Sequence, residues 1–199
     1  MHIDKDLLSL VTQSSMTSGN NWGTGMLVIH PITRKLMLGK RTDTKTMCSP
    51  GGKVELGESP LMGVLRETKE ESNITCNKVK FYDLEMHAAE NGKNWTSFMF
   101  FTEDFDDSQI KAQKSEIEGD WDWYTVEEAL SMDLFPPTRK SLERAIELDL
   151  VYMAHEPDNY IPFEDCPTSG FTIKDSCSCA YSYSEPEPIF TYQAGLIWD

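Results

Sequence analysis

Glu67, Glu70 and Glu71 stand at positions i, i+3 and i+4 of a segment whose local chemistry dictates a helix. Ser59 is a natural N-cap and Pro60 suits the first helical position, where its missing N–H costs nothing, so the spacing predicts a helix from Ser59-Pro60 to about Ser72. Leu61, Val64, Leu65 and Thr68 can form its inner face, which leaves Arg66, Glu67, Glu70 and Glu71 on the other side. Three carboxylates converging on one point repel one another. The arrangement becomes favourable around a hard divalent cation, and an all-oxygen donor set suits Mg²⁺ or Mn²⁺. A solvated acidic face is the bland alternative. It would not need the paired glycines Gly51-Gly52, the Ser-Pro helix start and an arginine beside the first glutamate, all in register.

The formal charge of −15 shapes the rest of the reading. Phosphate-backbone affinity comes from clustered Lys and Arg, and none cluster here, so no general nucleic-acid binding is expected. An acidic chain that handles phosphates needs a bound cation and a few local basic groups instead. At 199 residues, with 39% hydrophobic and 26% charged residues, the chain has room for one catalytic domain with appendages. Residues 1–20 read as a leader with a short helical turn, 21–154 as the domain, and 155–199, rich in scattered Pro, Ser and Tyr, as a tail of unassigned role. The apolar run Leu7–Val11 is too short for a signal core and no stretch reaches membrane-spanning length, so a cytoplasmic location is expected. Five cysteines at 48, 76, 166, 177 and 179 do not resemble a disulfide framework. A tail zinc site from His155, Cys166, Cys177 and Cys179 is disfavoured, because Cys-Ser-Cys is too tight for a usual zinc knuckle.

Periodicity predicts a β-hairpin from Met26–Ile29 and Leu36–Leu38, a loop over 42–52 in which Gly51-Gly52 turns tightly toward a ligand, strands over 78–86 and 95–103 about a turn at Glu90–Lys93, a strand at Trp121–Thr125, a helical segment from Val126 to about Met132, and an amphipathic helix from Thr138 to about Met153.

The pattern Gly52, five residues, Glu58, seven residues, Arg66-Glu67, two residues, Glu70-Glu71 resembles the signature of the Nudix hydrolase family. Chance agreement at six such positions is on the order of 10⁻⁷ per starting point. Thr68 stands in an aliphatic slot of that signature, where its hydroxyl is expected to bond back one turn, and Asn73 replaces a glycine at the helix end, where Asn tolerates the left-handed conformation. The resemblance implies an α+β fold, an α/β/α sandwich with a mixed central sheet and a catalytic loop-helix-loop. It further implies a carbonyl ligand from Gly51, side-chain ligands from Glu67, Glu70 and Glu71, and proton abstraction from water by Glu67. Glu58 would support the loop and Arg66 would orient Glu67 or fix the loop. Lys53, with Arg41 or Lys40, would neutralise substrate phosphates, although Lys40-Arg41 also reads as an ordinary charged strand end. In the Lys114–Trp123 stretch the resemblance points to Glu118, with Glu116 second, as a further metal ligand or base on a loop.

Leu134-Phe135-Pro136-Pro137 resembles the MutT-type nucleoside triphosphate branch, and Thr138 and Arg139 then take the places that line a nucleobase pocket. The markers of other branches are missing: Ala88, Ala89 and Glu90 stand where a proline would suggest ADP-ribose, and no tyrosine suggests a diadenosine polyphosphate. The expected substrate is a nucleoside or deoxynucleoside triphosphate, oxidised forms included, cleaved to monophosphate and pyrophosphate. ADP-ribose, a dinucleoside polyphosphate or an RNA cap is the alternative within the chemistry. A catalytically retired nucleotide-binding regulatory module is the alternative outside it. The small-molecule nucleotide is the expected partner, and a homodimer is left open.

Overall fold

The computed structural model describes residues 9–11, 21–88, 94–106, 108, 110–113, 115–151 and 192–193. The order is β1 (Trp22–Val28), β2 (Leu36–Arg41), β3 (Met47–Cys48), β4 (Gly51–Lys53), α1 (Pro60–Ser72), β5 (Thr75–Ala88), β6 (Asn94–Asp106), β7 (Ile117–Tyr124), α2 (Val126–Ser131), α3 (Pro136–Glu147) and β8 (Tyr192–Gln193). A five-stranded sheet runs β4-β1-β6-β5-β8 and a three-stranded sheet runs β3-β2-β7. The larger sheet is mixed, since β1 lies parallel to β6 and antiparallel to β4.

Strand alternation sorts the core into two layers. Met26 and Val28 of β1 and Phe98 and Phe100 of β6 pack with Leu61 and Val64 of α1. Leu27, Ile29, Met99 and Phe101, one residue out of phase, pack with Val126 and Ala129 of α2 and Leu142 and Ala145 of α3. Both faces of the sheet are thus covered by helix, which is why β1 and β6 read as continuous apolar runs. The α/β/α arrangement expected from the resemblance is the one observed.

Several local expectations change. The predicted hairpin survives only at its tip, where His30 N–H donates to Lys35 O at 2.8 Å and Ile29 bridges Leu36. Beyond it the strands separate, because β1 pairs with β4 and β6 while β2 pairs with β3 and β7. Gly39 marks the departure: a Cβ there would stand 2.9 Å from Ile117 and from the Trp121 ring. The expected 42–52 loop holds two short strands, β3 and β4. Helix α3 starts at Pro136 and its C-cap is Leu148, so it is shorter at its end than the apolar pattern suggested. The leader is not wholly separate, since Val11, in a helical turn at residues 9–11, is buried in the core. The expected turn at 90–93 and the His/Cys set of the tail lie outside the described residues. Among the described residues, no helix is long and apolar enough to cross a membrane.

Candidate active site

Helix α1 begins and ends as its sequence dictates. Ser59 Oγ accepts from Met62 N–H at 3.3 Å, Pro60 opens the first turn, and Asn73 closes the helix at φ 61 and ψ 10, donating its N–H to Lys69 O. Trp121 Nε1 of β7 donates to Glu71 O at 3.0 Å, and the N–H groups of Lys111 and Gln113 donate to Ser72 O and Glu71 O. These bonds satisfy carbonyls that a helix end leaves open and hold the carboxylate-bearing turn against the sheets. Nothing in the sequence pattern pointed to Trp121 for this role.

Two of the three carboxylates are not on a solvent face. Glu67 and Glu71 are only 7% and 5% exposed, whereas Glu70 keeps a side-chain exposure of 45%. Burial of a carboxylate requires hydrogen-bond donors, and β4 and Arg66 supply them. Gly51 N–H donates to Glu71 Oε2 at 2.9 Å, and Arg66 Nη1 lies 2.9 Å from Glu67 Oε1 and 3.3 Å from Glu70 Oε2. The paired glycines serve this approach rather than a tight turn. A Cβ on Gly52 would stand 2.4 Å from Glu67 Oε1, and one on Gly51 would stand 2.4 Å from Thr24 O of β1. A side chain at Gly51 would meet the β1 backbone, and one at Gly52 would have to displace the Glu67 carboxylate.

Arg66 is the tie between helix and preceding loop. Its Nε and Nη2 reach the two oxygens of Glu58 at 2.7 and 3.1 Å, and Nη2 also donates to Lys53 O at 2.9 Å. Glu58 Oε2 in turn accepts from Glu55 N–H at 3.0 Å. The Arg66 guanidinium holds the Glu58 carboxyl below its ordinary range, and the same pairing pushes Arg66 upward. Thr68 departs from expectation: its hydroxyl is buried without a hydrogen-bond partner among the described residues, and it is Ser72 Oγ that donates back one turn, to Thr68 O at 2.6 Å.

On the opposite face of β4 and β1 lies a cavity of about 510 Å³, a size ordinary for a small-molecule site. Trp95, Ser97 and Met99 alternate along β6 to form one wall, Gly23 and Gly25 of β1 form a floor without side chains, and Phe135 and Thr138 close the far end. Thr138 Oγ1 accepts from Ser49 N–H at 3.3 Å. The two cationic side chains among its lining residues are Lys53 and Arg41. Lys53 Nζ stands 5.4 Å from the Trp95 ring centroid; the Arg41 guanidinium stands 4.6 Å from that of Phe135 and is also bound by both oxygens of Asp43 at 2.9 and 2.7 Å. Cys48 lines the same cavity as a neutral thiol, its pKa pushed up to about 12 chiefly by burial. Trp95, Ser97, Met99 and the two floor glycines were not singled out from sequence. Their period-two spacing on β6 and β1 was the available signal.

Three further candidate residues are engaged by other partners. Lys40 pairs with Glu118 at 3.3 Å across the β2–β7 ladder, and Lys45 approaches the same carboxylate at 3.4 Å. Glu118 therefore lies on a strand rather than a loop, with its carboxyl held below its ordinary range by the two lysines. Arg139 turns away from the cavity that its neighbour Thr138 lines: its Nη2 donates to Met132 O at 2.9 Å and to Leu130 O at 3.5 Å, closing the end of α2.

The donor chemistry fits a hard divalent cation: Glu67, Glu70 and Glu71 offer oxygen only, two of them desolvated against a glycine strand. Among the described residues no three acidic, His or Cys groups are gathered closely enough to hold an ion. Side-chain rotation on α1 would have to bring the carboxylates in.

An α+β sandwich that presses a glutamate-bearing helix against a glycine edge strand is the arrangement that the resemblance implied. The NUDIX domain family model matches residues 20–145, and the chain belongs to the Nudix family. A Caenorhabditis elegans protein named nudix hydrolase 1 is 25% identical over 113 residues, 57% of this chain, and the chain spans 29% of that relative's length. Among solved structures, a MutT NUDIX hydrolase from Burkholderia pseudomallei is similar with TM-score 0.57 and 22% identity, over 64% of this chain and 98% of the other. The NUDIX domain of Shewanella oneidensis NrtR, solved with ADP ribose, gives 0.57 at 16% identity over 66% and 90%. A C. elegans Ap4A hydrolase gives 0.52 at 18% identity over 65% and 97%. These likenesses concern the fold.

Proposed function

We propose that this chain hydrolyses a phosphoanhydride bond of a nucleoside or deoxynucleoside triphosphate, releasing the monophosphate and pyrophosphate, with Mg²⁺ or Mn²⁺ held by Glu67, Glu70 and Glu71. The observation that carries the reading is the edge strand β4: buried carboxylates press on it from α1, and its other face opens on a cavity walled by aromatic and apolar side chains. A flat base fits such walls, and the phosphates would then lie at the glycine strand beside Lys53. When bound, the cation supplies charge neutralisation at phosphate oxygens and acidifies water. Glu67, kept in place by Arg66, accepts the proton of the attacking water. Gly51 would offer its carbonyl to the cation. Lys53 stabilises charge on the phosphates, and Arg41 contributes less because Asp43 already neutralises it. Glu118 and Arg139 are left out of this set because of their placement.

Intact Glu67, Glu70, Glu71 and Arg66 disfavour a retired regulatory module, since a retired site would be free to lose a ligand. The test is a panel of unmodified and oxidised triphosphates, ADP-ribose, dinucleoside polyphosphates and capped RNA with Mg²⁺, products identified by mass. Monophosphate and pyrophosphate from a triphosphate support the reading. Preferred cleavage of any other member would replace the substrate, and no cleavage of any would favour the binding module.

A further inference from the structure

Lys53 is held in a different way from the other site cations. Arg41, Arg66, Lys40 and Lys45 are each engaged by a carboxylate. Lys53 has no carboxylate partner among the described residues; its ammonium rests over the Trp95 indole instead. The register explains how a β6 side chain reaches a β4 lysine. Lys53 pairs with Gly23, and Gly23 pairs with Ser97, so β1 lies between the two. Because Gly23 has no side chain, the indole lies across β1, its Cε3 4.0 Å from where a Gly23 Cβ would stand. Trp95, Ser97 and Met99 share one face of β6, and at about 3.3 Å per residue the wall runs roughly 13 Å from Trp95 to Met99. Lys53 and Trp95 thus stand at the Lys53 end of β4, whose other end, Gly51, lies beside Gly25 and Met99.

A carboxylate would orient Lys53 but cancel its charge. An aromatic face orients an ammonium while leaving its full charge and its donors available to a second partner. In a chain of net charge −15, that difference decides whether a cation at the site remains able to bind phosphate. We propose that Trp95 is a positioning residue that holds Lys53, un-neutralised, for the phosphate groups of the substrate. This rests on the phosphate role given to Lys53 above.

The test is calorimetric binding of inorganic pyrophosphate in Mg²⁺ to the full chain, with KM and kcat for a nucleoside triphosphate measured alongside. Lys53→Gln weakens pyrophosphate binding by about tenfold. Trp95→Leu weakens it by about threefold to fivefold and raises KM equally, with kcat changed less than twofold. Trp95→Phe, a weaker face, falls between. In the Lys53→Gln background the Trp95→Leu change has no further effect, because the cation it would position is gone. An equal loss from Trp95→Leu with and without Lys53, or no loss in either, overturns the inference. Should Trp95→Leu not fold, Trp95→Phe measured in both backgrounds decides in the same way. A wild-type chain that neither binds pyrophosphate nor cleaves a triphosphate overturns the functional reading, and this inference with it; intact binding with uncoupled residues overturns the inference alone.

Discussion

Gly52 and Glu67 together show how closely single residues are fitted at the candidate site. A methyl group at Gly52 would meet the Glu67 carboxylate at 2.4 Å, so Gly52→Ala is expected to displace that group and lower kcat by roughly 10²-fold or more, with circular dichroism unchanged. Near-normal turnover in this variant would show that Gly52 is not needed to seat the Glu67 carboxylate. Glu67→Gln and Glu71→Gln should each lower turnover by roughly 10²- to 10⁴-fold while the fold persists, because an amide keeps shape and loses charge. Glu85, away from the site, offers a pH readout. Burial and then Asp83 push its pKa from 4.5 up to about 7, and one of its oxygens is buried without a hydrogen-bond partner among the described residues. Since the folded value lies above the unfolded one, stability is present below about pH 4.5 and is lost as pH rises toward 7. Glu85→Gln should therefore raise Tm at pH 8 and leave it nearly unchanged at pH 4. An equal change at both pH values would show that Glu85 does not titrate in this way.

Helix α1 is where sequence and structure agree most closely among the elements. Its start at Ser59-Pro60 and its left-handed Asn73 end follow from backbone chemistry that operates within a few residues. Ser59→Ala should cost about 1 kcal/mol, read by denaturant midpoint at constant m. Which side of α1 is buried was less legible: a helical wheel sends glutamates to water, yet β4 and Arg66 hold two of them inside. The Arg66–Glu58 pair locks the loop before α1. Glu58 has a depressed pKa, so its contribution is present above its unfolded value of 4.5 and is lost as pH falls below it. Arg66→Met should remove this acid-side dependence and raise KM and lower kcat together; an unchanged acid limb of Tm would contradict the assignment. Strand partners were less legible still. The β1–β2 hairpin looked sound locally, but pairing energy comes from distant β6 and β7, which no local pattern reveals.

For the molecule as a whole, the cation binding proposed for Glu67 and Glu71 would connect stability to metal concentration. A cation that binds only the folded chain stabilises it by mass action, so Mg²⁺ or Mn²⁺ should raise Tm in proportion to the logarithm of its concentration above Kd. Glu67→Gln should flatten that response, and excess chelator should abolish hydrolysis by the wild type. Hydrolysis that survives chelation would count against cation dependence.

The sequence by itself determined α1, its caps, the three carboxylates and the Gly51-Gly52 pair, and the family followed from them. These features depend on spacing over a single turn or loop, where residue chemistry acts alone. Only the tertiary structure decided that Glu67 and Glu71 are buried, that Glu118 is held by Lys40 and Lys45, that Arg139 closes α2, and that Trp95 reaches Lys53 across Gly23. Each of those depends on which strands become neighbours, and that is settled by burying two apolar layers at once rather than by any stretch of chain.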